Sequence, residues 1–366
     1  MPVTVIVEPD PGGHRFQYVS HVVGRAAQMG DVVLLTSVGA ESSAEFQTYL
    51  SGATIKVDER FDSIYPPTHQ IVDAIAEYSA SGDVATVFVM DADKALKRWW
   101  RDAPPVLGRL TRKPRVIFLL TRYPARLSPF DRIGWMHRVA KATLALLAMA
   151  RGSLDRIVSL AGRDDFGKGT LVKLVRDPAI CTAHSRDRAA IRESLGLPPD
   201  RTLIGIFGVI SDRKNVPLVA AAVEAASPDA QLLLAGQLEP DVADWLAAQP
   251  DATRERIRVF EGFLSNDVLD LLVAASDVVT IAQNNNGPSG IMGKAVAAGV
   301  PVLSAGSKVR ARELAALDAG VNAELNQPAL VAGLRQILDR HRIGTRASTA
   351  ALPTAQTFAD TLFGVK

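Results

Sequence analysis

Short apolar runs rich in valine, isoleucine and leucine alternate along the chain with longer stretches whose apolar residues recur every three or four positions. The runs predict strands and the stretches predict helices. In the first half the predicted strands are residues 3–7, 32–36, 54–57, 85–90, 116–120, 156–160 and 171–175. Helices are predicted over 16–28, 67–79 and 136–149; on the second, Ile71, Ala74, Ile75 and Tyr78 share a face. Residues 176–201 are poor in apolar side chains and hold Pro178, Pro198 and Pro199. They read as a connection between domains, with a short helix over 189–195. The pattern then restarts, with strands at 203–207, 231–235, 257–260, 278–281 and 301–303. Helices are expected over 216–226, 267–275, 290–298, 328–338 and 354–363. Strands parted by helices imply an α/β fold of parallel, doubly wound sheets, whose ligands sit at the carboxyl ends of the strands. Two Rossmann-like domains are expected, residues 1–180 and 181–349.

Composition narrows the function classes. The 366 residues suffice for two domains, and 48% apolar with 22% charged residues is ordinary for a globular protein. A net charge of +2 is too small to argue for nucleic acid, and none is expected as a partner. Cys181 stands alone, so neither a disulfide framework nor a cysteine metal site is expected. The six histidines show no ligand spacing, so no metal is expected either. The chain opens directly on a strand, which predicts no signal peptide and a cytoplasmic location. Its longest apolar run, residues 142–150, falls short of the roughly 18 residues of a membrane span.

One stretch is strongly basic. Lys97, Arg98, Arg101, Arg109, Arg112, Lys113, Arg115, Arg122 and Arg126 face only Asp102, and Trp99-Trp100 lie among them. Such a stretch suits an anionic acceptor or acidic lipid headgroups, which would make the protein peripheral at the membrane; single-stranded nucleic acid would suit it in principle. The simpler reading is a solvated loop with the tryptophans in the core.

The candidate chemistry lies mostly in the second half. After strand 278–281 comes a polar loop, Gln283-Asn284-Asn285-Asn286-Gly287-Pro288, and then a helix opened by Ser289-Gly290 and closed by Gly299. A capped helix start offers unpaired N–H groups and the positive end of a dipole to a phosphate, though an ordinary connection has the same form. Gly208 follows strand 203–207, and Asp212-Arg213-Lys214-Asn215 precedes the next helix. Two cations at one turn suit a diphosphate; equally they are solvated charges beside a helix start.

These elements, in this order, resemble the donor-binding half of retaining GT-B glycosyltransferases of family four. The run Lys294-Ala295-Val296-Ala297-Ala298-Gly299-Val300-Pro301-Val302 is similar to that family's signature, as are Val259-Phe260-Glu261-Gly262-Phe263-Leu264-Ser265 and the helix that follows. The resemblance covers most of residues 203–338. It implies a GT-B fold, two domains across a cleft, with 350–366 returning to the first. It implies a nucleoside-diphosphate sugar (UDP or GDP sugar) as donor substrate, no cofactor and metal-independent transfer with retention. Arg213 and Lys214 would stabilise the leaving diphosphate. Gly12, Gly13, Gly208, Gly262, Phe263, Leu264, Asn286, Ser289, Gly290 and Lys294 would line the donor site. Asn286 and Lys294 stand where the family carries two glutamates, which motivates a second reading, a catalytically inactive GT-B partner module; a sugar-nucleotide epimerase is a third. In the first half, Gly12-Gly13 resembles the family's glycine loop. It is not a GxGxxG fingerprint, so a nicotinamide cofactor is not expected. His14, Asp91 and Arg122 are acceptor-side candidates, although a loop histidine is commonly just solvated and an aspartate after a strand commonly caps a helix. The acceptor and the oligomeric state are left open.

Overall fold

The computed structural model describes residues 2–13, 15–123, 127, 129–165, 167–183, 188–284, 289–342 and 352–365. The chain divides into two compact units. Unit 1 comprises Met1–Ala161, Asp165–Asp177 and Thr354–Lys366; unit 2 comprises Gly162–Asp164 and Pro178–Pro353.

Unit 1 begins β1 (Val3–Val7), α1 (Arg15–Ala26), β2 (Asp31–Ser37), α2 (Ala44–Tyr49), β3 (Lys56–Phe61) and α3 (Thr68–Ser81). It continues through β4 (Val84–Val89), α4 (Leu96–Asp102), α5 (Pro104–Leu107), β5 (Arg115–Leu120), α6 (Arg132–Ala150), β6 (Arg156–Ala161) and β7 (Lys173–Arg176). The seven strands run parallel in the order β3-β2-β1-β4-β5-β6-β7. Successive side chains of a strand point to opposite faces, and here both faces are covered. Val5, Val7, Val87 and Val89 lie beneath Ile71, Ile75, Trp99 and Ala145 of α3, α4 and α6. Ile6, Leu34, Phe88 and Ile117 lie beneath Phe16 and Phe46 of α1 and α2, and beneath Phe358 and Leu362 of the last helix. Burial on both faces is why these strands read as unbroken apolar runs.

Unit 2 contains α7 (Arg188–Ser194), β8 (Leu203–Phe207), α8 (Val216–Ala226), β9 (Gln231–Gly236), α9 (Pro240–Ala247), α10 (Asp251–Arg254) and β10 (Ile257–Glu261). Then come α11 (Asn266–Ala275), β11 (Val278–Ala282), α12 (Gly290–Ala297), β12 (Val302–Ala305), α13 (Lys308–Leu317), β13 (Gly320–Ala323) and α14 (Gln327–Arg342). The final helix, α15 (Ala355–Phe363), belongs to unit 1. The unit 2 sheet is again parallel, in the order β10-β9-β8-β11-β12-β13.

Three departures from the sequence pattern have plain causes. The first part of the basic stretch is not a loop: it forms α4, which packs on α6, and α5, which packs on α3 and α4. Trp99 is fully buried and donates its indole N–H to the Ser153 carbonyl at 2.8 Å, while half-buried Trp100 lies 4.9 Å under the Arg151 guanidinium. The third strand runs over Lys56–Phe61 instead of 54–57, because it is an edge strand whose charged Asp58, Glu59 and Arg60 carry no apolar signal. α13 went unanticipated because its inner face holds Arg310 and Glu313, both fully buried.

Candidate functional site

In a doubly wound sheet the ligand crevice opens where neighbouring strands send their connections to opposite faces. In unit 2 that point lies between β8 and β11. Gly208, with φ at +87°, follows β8, and the chain passes through a single 3-10 turn, Asp212–Lys214, into a left-handed Asn215. The Asn215 side-chain amide donates to the Ala282 carbonyl at 2.8 Å, pinning this turn to the end of β11. Lys214 is thereby folded back over the strand end. Its ammonium donates to the Phe207 carbonyl and lies 3.4 Å from where a β-carbon on Gly208 would stand. Burial, and then the neighbouring Arg213 charge, push its pKa down to about 8. Among the described residues no carboxylate pairs with it. A partly desolvated cation without a counter-ion is electrostatically primed for an anion.

Arg213, beside it on the same turn, is exposed. It lines an open hollow of about 540 Å3 shared with Asp212, Glu239 and Asp241, whose three carboxylates make it a poor seat for phosphate. The backbone beside Lys214 is tightly packed: a β-carbon on Gly236, with φ at +138°, would fall 2.1 Å from the Gly208 carbonyl oxygen. Gly262 in turn donates its N–H to the Gly236 carbonyl at 3.1 Å. Phe263 follows, 67% exposed at the carboxyl end of edge strand β10, with Leu264 half-buried beside it.

α12 begins at the carboxyl end of β11. Ser289 caps it by accepting from the Met292 N–H at 3.3 Å, and Gly290 opens the first turn exposed. Asn286 lies outside the described residues. Lys294 requires a correction. Its ammonium is held 2.5 Å from buried Asp270 of α11, which also accepts from the Thr182 N–H and hydroxyl at 2.8 and 3.1 Å. Lys294 is therefore an internal tie between α11 and α12.

Two buried cations near the ends of β11 and β12 come from outside the motifs. Arg163, 2% exposed, donates to the Ser289 carbonyl at 3.2 Å and to Glu313 at 3.1 Å. A β-carbon on Gly293 would meet its guanidinium at 2.4 Å, so α12 can rest there only through a glycine. Arg310 donates to the Gln283 and Ala305 carbonyls at 2.6 and 3.0 Å, bridging the carboxyl ends of β11 and β12; burial lowers its pKa to about 10. The sequence did hold a signal for this pair. Arg310 and Glu313 share one stripe of α13 with Leu314 and Leu317, where a solvated charge has no place.

Unit 1 has its own switch point, between β1 and β4. A cavity of about 240 Å3 opens there, lined by Glu8, Gly12, Arg15, Tyr18, Asp91 and Thr121 among others. Asp91 holds a left-handed backbone, φ +41°, uncommon for a non-glycine residue and frequent at functional sites. Its carboxylate accepts from Arg15 at 2.9 Å and from the Thr121 hydroxyl at 2.5 Å. Arg15 also pairs with Asp10. Glu8 is buried, and desolvation raises its pKa to about 8, against the lowering hydrogen bond from the Asp10 N–H. At neutral pH it is mostly a neutral acid able to donate. Gly12 lines the cavity and Gly13 follows with φ at +69°. His14 lies outside the described residues. Arg122 is exposed at the end of β5 and does not line the cavity, while Asp93 is taken up by Lys141 and the Thr121 N–H. Glu8 and Arg15 were not singled out in the sequence.

No model of a known protein family matches the chain. A stretch of 95 residues, 25% of this chain, is 35% identical to starch synthase 2 of Arabidopsis thaliana. The match spans only about an eighth, 12%, of that relative's length. Among solved structures, HepE of Anabaena in complex with UDP is similar with a TM-score of 0.61 at 16% identity, covering 99% of this chain and 96% of that one. A glycosyltransferase from Rickettsia africae ESF-5 is similar with a TM-score of 0.65 at 11% identity, covering 100% and 93%. These neighbours carry the GT-B fold of two Rossmann-like domains. The chain has that fold.

Proposed function

We propose that the protein is a glycosyltransferase that takes a sugar from a nucleoside-diphosphate sugar. Unit 2 binds the donor. The diphosphate sits at the β8–β11 switch point, against the Lys214 ammonium and the exposed N–H groups opening α12. The base reaches toward Phe263, two strand spacings or about 10 Å away. Negative charge grows on the diphosphate as the glycosidic bond breaks. A fixed cation and fixed N–H dipoles favour that state over the ground state, with no metal required and retention of configuration as the expected outcome. The unit 1 cavity, with neutral Glu8 and the Arg15–Asp91 pair, suits the hydroxyls of an acceptor. Support from the fold is analogy: similar chains include one solved with UDP. The observation that carries the proposal is Lys214, a half-buried ammonium at the switch point with no carboxylate among the described residues.

The test is calorimetric titration of the full chain with UDP, GDP and ADP. At least one should bind at neutral pH, and Lys214→Met should weaken it about tenfold or more, since a charge-assisted contact is worth ~1.5–3 kcal/mol. Affinity of the unaltered protein should decline as pH rises through about 8, where this ammonium loses its proton. Binding that ignores both Lys214→Met and alkaline pH would place the diphosphate elsewhere. One observation favours a second reading, a binding module without turnover: Lys294, standing where the family carries a glutamate, is spent on Asp270. Tight nucleotide binding with no release of sugar from any donor would select that reading.

A further inference from the structure

α6 is apolar on more sides than a helix that only packs on its sheet requires. Ala145 and Ala148 bury one side against the unit 1 core, with Leu144 and Met149. The opposite side is apolar as well. Ile133, Met136, Val139, Leu146 and Leu147 are 67, 61, 58, 53 and 38% exposed, and Phe130, just before the helix, is 91% exposed. At 100° per residue these helix positions, with Ala140 and Thr143, fall in one arc on the side away from the core. Apolar residues scattered singly on a surface need no account; a continuous helix face does.

The charge around this face selects what covers it. α4 packs beside α6 on the same side of the sheet, so the outer surfaces of both helices look away from it together. Those two helices and the α6 cap carry Lys97, Arg98, Arg101, Arg132, Arg138 and Lys141 against Asp102 and Asp131. Lys141 is engaged with Asp93, but Lys97, Arg98, Arg101 and Arg132 are exposed. Trp135, 42% exposed, flanks the stripe with Arg138 5.3 Å over its ring. An apolar face edged by aromatic and cationic side chains matches the boundary between lipid headgroups and acyl chains. A second copy fits worse, because self-pairing sets one mainly cationic surface against another of the same sign. No described helix is long and apolar enough to cross a membrane; α6 itself contains three cations.

We propose that the outer face of α6, with the basic flank of α4, docks unit 1 onto a bilayer containing anionic phospholipid, the apolar stripe lying in the interface plane. The proposal is independent of the reaction and of Lys214. The test is flotation of the full chain on a density gradient with vesicles of phosphatidylcholine alone or of phosphatidylcholine and phosphatidylglycerol in equal parts. The protein should float with the mixed vesicles and stay down with the neutral ones, and high salt should weaken the association. Ile133→Glu with Met136→Glu should cut the floated fraction at least tenfold. Both positions are exposed, so the thermal midpoint should hold. Arg98→Glu with Arg132→Glu should weaken flotation on mixed vesicles alone. No flotation, or flotation indifferent to Ile133→Glu/Met136→Glu, overturns the proposal. Light scattering that shows a dimer dispersed by the same two substitutions assigns the face to a second copy and overturns it equally.

Discussion

Among single residues, Glu8 carries the clearest pH signature. Its carboxyl is buried with a pKa near 8 in the folded chain, against 4.5 as the ordinary value. Between those limits the folded state holds a proton that the unfolded state has lost. Stability from this residue is therefore complete below about pH 4.5 and is lost as pH rises through about 8. The slope is at most ~1.4 kcal/mol per pH unit, one proton's worth. Glu8→Gln keeps the shape and removes the titration. Urea unfolding across that window should show the unaltered protein losing stability toward pH 8 relative to the glutamine variant; parallel curves would mean that Glu8 is ionised in the folded protein. Residues of this kind were the least legible in the sequence. Outside a helix stripe such as that of α13, a buried charge declares itself through its partner, and the partners lie far off along the chain: Arg163 meets Glu313, and Arg15 meets Asp91. The Lys214 turn was legible because cation, glycine and strand end fall within a few residues of each other.

For elements, legibility followed burial. β1, β4, β5, β8 and β11 are covered on both faces, and their apolar runs announced them. Edge strand β3 and helix α13 were obscured because charged residues stand where a pattern needs apolar ones. α12 was placed correctly by its serine cap and terminal glycine, yet the role expected of its Lys294 was not what the structure gives. Position on a helix does not fix which way a side chain is drawn, and Asp270 of α11 draws this one. Lys294→Met consequently leaves Asp270, 1% exposed, with its Thr182 bonds alone among the described residues. The expected cost is about 1–3 kcal/mol of stability, read by chemical denaturation. Nucleoside diphosphate affinity should stay within about threefold, under ~1 kcal/mol, in the same preparation. A large loss of nucleotide affinity at unchanged stability would restore Lys294 to the donor site.

At the scale of the whole molecule, the units are built from the chain in different ways. Unit 2 is nearly one continuous stretch, Pro178–Pro353, whereas unit 1 is completed only by the last residues, Thr354–Lys366. α15 carries that return. Phe358 and Leu362 are fully buried, the Phe358 ring stacks on Tyr18 at 5.6 Å, and the Phe363 ring meets Phe88 at 4.8 Å. Arg115 and Arg156 hold the end of the helix through the Phe363 and Thr361 carbonyls, at 2.8 and 2.9 Å. α15 thus covers one face of the unit 1 sheet. Phe358→Ala removes a buried ring from a close-packed layer, a change that costs ~3–5 kcal/mol. That cost should fall on unit 1 alone. Scanning calorimetry should resolve two transitions, of which only one moves, and nucleoside diphosphate should still raise the midpoint of the other, because a ligand stabilises the unit that binds it. If both transitions shift together, or nucleotide protection disappears with Phe358, then the donor site draws on unit 1 and the assignment of diphosphate binding to the β8–β11 switch point alone has to be abandoned.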